Sequence, residues 1–556
     1  MKHIKVLALM SCAMLAGSCT DLDLEPEGNY LTENQQRELV SSNPSLSDGE
    51  LIGMYRRMAS PGTVLGLNAL NGSLPYPDDG GYPLICLFFD LNGPDMTMVN
   101  SGYNWLASCC DWSDRNSQFR NSQLRWQIFY QQIKAANDIL KSLDNIKSNA
   151  DNLKYKAIRG QALAVRAFDY LNLVPYYQFR YNGSADKLCV PIVTEKSNGS
   201  SFGRNTVAEV YNQILNDLTE AIECLEGYSR QQKSYIDQSV AYGLRARANL
   251  YMENWADAAA DATRALELCS GECDGQPYSM AEVSQPAFCH LEDHNWMWGI
   301  KMTGSQVDGQ LACWPAWLGS FSGNAYSTYT GLYCMINSLL YDKIDASDVR
   351  RGWWVDDQLH SPNLASVSWN GAKGDEVAKL AIADVKEPFL PYTNVKFAQA
   401  DGCGDVKNGG DWCLMRVEEM ILIQAEAYAK AGDETKGRQI LTDFVTAYRN
   451  PSYSPVCVTF SDEVWMQRRI ELWGEGFSMS DIMRLGKPVV RFHDGEDNNV
   501  DENFQFNVAA ADEYMLLRIP QNELNANKAI TDATQNNGGQ SPKLLQNGGL
   551  RDGVTD

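Results

Sequence analysis

Residues 244–266 read LRARANLYMENWADAAADATRAL. Small and apolar side chains recur there at helical spacing: Ala246, Ala248, Leu250 and Tyr251, then Trp255, Ala258, Ala262 and Ala265. The interruption before Trp255 predicts two helices, 235–253 and 255–268, joined by a tight turn. Alanine faces let two helices approach closely. A similar pattern returns at 418–446, EEMILIQAEAYAKAGDETKGRQILTDFVT. Upstream, residues 122–143 place Ile128, Ile133, Ala136, Ile139 and Leu140 on one face, and residues 153–174 do so with Ile158, Ala162, Val165 and Phe168. Thr206 with Glu209 three positions on reads as a capping box, opening a helix through Val210, Ile214, Leu218, Ala221 and Leu225. The expectation is a mainly α chain with helical repeats over about 122–268 and 415–486.

The pairing of small residues at a crossing with an aromatic near the turn resembles a tetratricopeptide repeat, without a strict period. Two stretches lack helical periodicity: about 60–120, with Gly, Pro, Asn and Ser throughout, and 270–415, rich in Gly, Ser, Trp and Tyr. Loops on a rigid frame commonly carry binding. The tail from 487 is irregular and rich in Asn, Gly and Asp.

Composition narrows the function classes. The chain has 556 residues, 44% of them hydrophobic and 21% charged, with a mean hydropathy of -0.35. Those values exclude a disordered chain, a collagen-like chain and a polytopic membrane protein. The net charge is -23, from 47 Lys and Arg against 70 Asp and Glu. Such a balance argues against nucleic acid as a partner, because phosphates need cations. Five His make a His-rich metal centre an unfavoured reading.

The first residues address the chain. Lys2, His3 and Lys5 form a short basic start, and Ile4 to Ala16 is a mostly apolar run too short to span a bilayer. It ends Leu15-Ala16-Gly17-Ser18-Cys19, small residues before a cysteine, as lipoprotein processing requires. The expectation is a signal peptide at 1–18, lipidation at Cys19, an acidic tether at 19–30 and one body at 31–556. An ordinary signal peptide with an incidental cysteine is the alternative. Setting aside Cys12 and Cys19, 13 of the 15 cysteines remain, so at least one thiol is unpaired within the chain. Cys269, Cys273, Cys289, His290 and His294 could be read as a metal cluster, a disulfide or plain thiols; their spacing matches no standard zinc finger.

The densest charged motif is 467–487, QRRIELWGEGFSMSDIMRLGK. Glu471 and Glu475, four apart, would share a helix face, and two carboxylates on one face suggest glycoside hydrolysis. Arg468, Arg469 and Arg484 match Glu471, Glu475 and Asp481 in number, so an internal ion-pair network is the economical reading. No nucleophile elbow, phosphate loop, dinucleotide fingerprint or HExxH occurs. The run 494–501, DGEDNNVD, is acidic enough for calcium but lacks EF-hand spacing, and a solvated loop is the simpler reading. No cofactor is expected otherwise. Tyr103, Asn104, Trp105, Trp112, Trp296, Trp298, Trp314, Trp317, Tyr326 and Tyr329 fall in loop-like stretches. Such rings either stack on the apolar faces of sugars, with polar neighbours holding the hydroxyls, or pack a core for their own loops.

In order along the chain, these features resemble the SusD/RagB family of outer-membrane nutrient-binding lipoproteins. The resemblance starts at Cys19 and Asp21-Leu22-Asp23. It continues through Trp126, Tyr130, Ile133, Ala136 and Asn137; Gly160, Ala162, Arg166, Ala167, Tyr170, Asn172 and Leu173; Pro175-Tyr176-Tyr177; Val190-Pro191-Ile192; and Tyr211, Ile214, Asp217 and Leu218. Asp345, Asp348, Arg350 and Arg351, then Arg416, Glu418 and Glu419, the 469–484 cluster, and Ile519, Pro520, Glu523 and Leu524 complete it. Phe477 departs from the pattern, standing where the family has Arg, which removes one charge from the network. The resemblance implies tetratricopeptide-like pairs supporting a loop-rich ligand surface. It implies an outer-membrane lipoprotein on the extracellular face, partnered by a SusC-like TonB-dependent transporter. It implies capture of an oligosaccharide without catalysis, with peptides or another nutrient as the alternative cargo. The ligand residues it implies are Trp105 with Tyr103 and Asn104, and Trp296, Trp298, Trp314, Trp317 and Tyr326.

Overall fold

The computed structural model describes residues 45–59, 76–144, 152–269, 273–302, 307, 311–380 and 387–556. Cys19, the leader and the tether lie outside the described residues, as does part of the predicted 60–120 loop region. Eleven helices of eight or more residues occur among the described residues: α1 Ser45–Arg57, α2 Tyr82–Asn92, α3 Arg120–Asp144, α4 Leu153–Tyr177, α5 Val207–Cys224, α6 Gln238–Tyr251, α7 Trp255–Leu268, α8 Val417–Lys430, α9 Glu434–Tyr448, α10 Phe460–Glu471 and α11 Ser478–Leu485. No described helix is long and apolar enough to cross a membrane.

The helices form one continuous array. α3 packs on α4, α4 on α5, α5 on α6, α6 on α7, α7 on α8, and α8 on both α9 and α10. The second helical stretch therefore docks directly onto the first, and the chain between α7 and α8 emerges from the seam. Local chemistry explains the boundaries. Thr206 accepts from the Glu209 amide while Glu209 accepts from the Thr206 amide, which closes the expected capping box. Asp237 caps α6 through the Val240 amide. Ala258, Ala259, Ala262 and Ala265 are all buried on α7. Gly437 lets α9 meet α8: a Cβ there would sit 2.5 Å from the Ala425 carbonyl oxygen.

α2 is a correction to the expected loop region. Its eleven residues, YPLICLFFDLN, are all buried. A helix apolar on every side carries no amphipathic period, so spacing does not reveal it. Asp90 near its end accepts amide bonds from Gly476 and Ser478, fastening α2 to the start of α11. Burial raises that carboxyl to about 7, against the pull of those amides.

Between α7 and α8 the chain adds little regular structure. Its main strand, β1 Trp296–Ile300, pairs antiparallel with β2 Trp412–Arg416. All five residues of β1 are buried. Cys269 and Cys273 form a disulfide, and Cys289 is a buried thiol lifted to about 12 by burial. Among the described residues, no three His, Cys, Asp or Glu side chains converge as a metal site would require. That geometry bears on the 269–294 cluster and on the acids of 494–501 alike.

His294 instead bridges Asp274 and Glu282, 3.0 Å from each. Burial disfavours its charge, but hydrogen bonds and charge from the two carboxylates outweigh that and raise its pKa above 6.5. A histidine raised on folding stabilises fully below its unfolded value, and that contribution disappears as pH climbs through the folded value. The expected result is a melting temperature that falls from pH 6 to pH 8.5 more steeply in the parent than in His294→Gln. Parallel slopes would refute the bridge.

Asp169 on α4 is the opposite case. It is buried, and neither carboxylate oxygen has a hydrogen-bond partner. Burial is what lifts its pKa well above 3.8. An acid raised on folding costs stability progressively as pH rises from its unfolded value toward its folded one. Asp169→Leu keeps the branched outline and removes the orphaned oxygens, so it is expected to stabilise by about 1–3 kcal/mol at pH 7.5. Urea unfolding with an unchanged m-value checks this; a lower midpoint would contradict it.

Candidate functional site

Four large aromatic side chains stand exposed among the described residues: Tyr76 at 43%, Tyr103 at 66%, Trp105 at 42% and Phe119 at 38%. They all flank α2, in the 76–81 loop, the 98–106 loop and the approach to α3. A folded chain with ample core has no packing reason to leave four such rings in water within 44 residues.

The 98–106 loop is built to present its rings. Asn104 points inward, donating to the Val99 carbonyl at 3.1 Å and accepting from the Leu106 amide at 2.9 Å. Its own amide donates to Ser101. Tyr103 and Trp105, on either side, are left facing out. The ring centroids of Trp105 and Tyr76 lie 5.9 Å apart at 52°. Arg120 lies over the other ring system, 4.1 Å from the Tyr76 centroid, and grips both oxygens of Asp78 at 2.8 and 3.0 Å. Burial raises the Asp78 carboxyl, and Arg120 opposes that rise.

Tyr326 completes the platform. It is half-buried and stacks on Trp317 at 4.2 Å and 13°, with Trp105 beside its hydroxyl. Trp317 in turn donates to the Pro77 carbonyl at 3.0 Å, tying the platform floor to the 76–81 loop. The structure therefore brings Tyr76, Trp105 and Tyr326 together, with Tyr103 exposed two residues from Trp105.

The other expected ligand residues are corrections. Trp296, Trp298, Trp314 and Trp317 are fully buried. Trp298 meets Phe168 of α4 edge-on at 5.0 Å and donates to the Ser234 carbonyl. Trp314 donates to the Gly410 carbonyl and lies against Trp412. These rings are the core of the long insertion, as Trp112 is for the 107–115 turn. Asn104 is likewise a loop brace. Tyr76 and Phe119 were missed; the aromatic-in-loop criterion applies to them as well as to Trp105, but neither stood in a motif.

The charged motif at 467–487 is buried and is not self-contained. Arg468 and Arg484 do pair with Asp481, at 2.7 Å each. Arg469 reaches away to Asp95 and Asp552, and Arg484 to Glu426. Glu471 meets Arg350 at 3.2 Å, Arg416 at 2.8 Å and Arg449 at 2.8 Å. Glu475 meets Arg416 at 2.9 Å and Lys396 at 2.7 Å. With Asp348 on Arg350 and Glu418 on Arg416 and Arg449, four cations face four carboxylates. Burial would raise both glutamates, but the guanidinium groups hold Glu471 well below the usual range and lower Glu475 too. A glycosidase acid needs a raised pKa and access to substrate; these two have neither. Phe477, in place of the family's Arg, lies beneath Arg247 at 5.1 Å and Arg468 at 5.7 Å.

No curated protein matches the chain. A family described as SusD-like, starch-binding and associating with the outer membrane matches residues 86–250. The SusD family matches residues 341–538. A SusD-like carbohydrate-binding protein from Bacteroides vulgatus ATCC 8482 shares 24% identity over 87% of this chain and 97% of its own, with a TM-score of 0.68. A SusD superfamily protein from Bacteroides thetaiotaomicron VPI-5482 gives 23%, 88%, 99% and 0.66 in the same order. Surface glycan-binding protein A from Bacteroides thetaiotaomicron, solved with laminarihexaose, gives 16%, 89%, 99% and 0.61. Two matches that cover most of the helical body, together with a shared helical fold, place this chain in the SusD/RagB family.

Proposed function

We propose that the protein binds a glycan at the cell surface without catalysis, and delivers it to a partner TonB-dependent outer-membrane transporter. The observation that carries the binding is the platform of Tyr76, Trp105 and Tyr326, with Tyr103 exposed on the same loop as Trp105 and Phe119 exposed next to Arg120 in the chain. Flat rings offer apolar faces of the size of a sugar's, and a water-exposed cluster of them is what carbohydrate recognition uses. The solved relative in complex with laminarihexaose supports the ligand class. The sealed state of Glu471 and Glu475 supports binding without turnover. Lipidation at Cys19 would tether the body to the outer membrane and leave the platform free.

Affinity electrophoresis against a panel of polysaccharides and peptides tests the reading. Retardation by a glycan in the parent and its loss in Trp105→Ala is the expected result. Retardation that survives Trp105→Ala would remove the platform from the site, and a response to peptides alone would replace the ligand class.

A further inference from the structure

We infer that the glycan taken up by the platform is uncharged, and that chains bearing carboxylate, sulfate or phosphate are turned away. The inference rests on the glycan reading and narrows it. Three segments build and border the platform, and none of them offers a free cation. From Met58 to Phe119 the only Lys or Arg is Arg115. It is buried, paired with Asp114 and laid 4.2 Å over Trp112. From Pro488 to Leu517 the only one is Arg491. It too is buried, donating to the carbonyls of Leu91, Gly93 and Cys110. From Gly309 to Tyr341, which carries Trp317 and Tyr326, there is no Asp, Glu, Lys, Arg or His at all. Among the described residues, Arg120 is the cation shown against the platform; partly exposed, it is held by Asp78 at 2.8 Å, with Asp79 3.9 Å away.

Among the described residues, exposed carboxylates border the platform. The Asp501 carboxylate accepts the Asn100 amide at 3.2 Å, so the 494–502 segment abuts the loop that presents Tyr103 and Trp105. Asp494, Glu496, Asp497 and Glu502 on that segment are exposed, and so is Asp111 on the next turn. An acidic sugar stacked on Trp105 would lose hydration without gaining an ion pair, and would face like charge within screening range. A neutral chain meets rings, hydroxyls and amides.

The test compares one neutral polysaccharide that the parent binds, laminarin being the first choice, with its C6-carboxylated derivative. Titration calorimetry would be run at 20 and 300 mM NaCl. Electrostatic exclusion predicts that the carboxylated chain binds at least about tenfold more weakly at 20 mM, with the gap narrowing at 300 mM. The gap also narrows in Glu496→Gln/Asp497→Asn/Glu502→Gln. Equal or tighter binding of the carboxylated chain at 20 mM, with Trp105→Ala still abolishing neutral binding, would overturn this inference and leave the platform intact. A gap indifferent to salt and to the triple substitution would be steric and would overturn it equally. Binding of an acidic glycan with no binding of any neutral one would overturn this inference, and no binding of any glycan would overturn the glycan reading itself.

Discussion

Glu471→Gln is expected to destabilise the protein by about 3–5 kcal/mol, because it removes one member of a fully buried ion cluster and leaves its partners uncompensated. Three guanidinium groups converge on this carboxylate, from Arg350, Arg416 and Arg449, and the residue is shut from solvent. Each of those arginines comes from a different part of the chain, so the loss should loosen the seam between the insertion, β2 and α9 together. Urea unfolding should show a midpoint that drops with little change in m. The pH response has a defined sign. Glu471 is depressed on folding, so its contribution is present above its unfolded value of 4.5 and disappears only as pH falls through a folded value well below that. The deficit of the variant should therefore be as large at pH 5 as at pH 8. A loss under 1 kcal/mol would show that the cluster contributes specificity rather than stability.

Glu475→Gln makes the sharper comparison. Its partners are Arg416 and Lys396. Lys396 is fully buried; burial lowers its pKa, only partly offset by Glu475. An amine can shed its proton when its counter-charge is removed, which a guanidinium cannot do. The cost of Glu475→Gln should therefore be the smaller of the two.

The sequence was most legible where structure is local. The turn before Trp255, the Thr206–Glu209 box and the 418–446 pair depend on residues within a few positions of one another, and the helices form there. It was least legible where partners are distant. The 467–487 motif announced a charge network, but Glu471 finds its arginines at 350, 416 and 449, and Arg469 its acids at 95 and 552. The tryptophans of 296–317 misled for a related reason. A strand buried on both faces loses the alternation that marks a half-exposed one, so β1 looked like a binding loop. Trp105 differs from Trp298 in no local feature of sequence. What separates them is whether a helix such as α4 covers the ring, and only the fold decides that.

Trp105→Ala and Trp298→Ala should therefore fail in opposite ways. Trp105 is exposed and touches Tyr76 and Tyr326 at the surface, so its loss is expected to leave the unfolding midpoint within about 0.5 kcal/mol of the parent. A central aromatic anchor truncated to alanine costs about 2 kcal/mol or more of binding, or roughly 30-fold in Kd. Trp298 is fully buried against Phe168, so Trp298→Ala opens a cavity and should destabilise by about 3–5 kcal/mol. Any glycan affinity it loses would follow the folded fraction. The two variants are compared by titration with the retained glycan at 15 °C and by urea unfolding of the same preparations. Wild-type affinity in Trp105→Ala would remove that ring from the ligand surface. A stable Trp298→Ala that no longer binds would mean that the insertion core shapes the site directly.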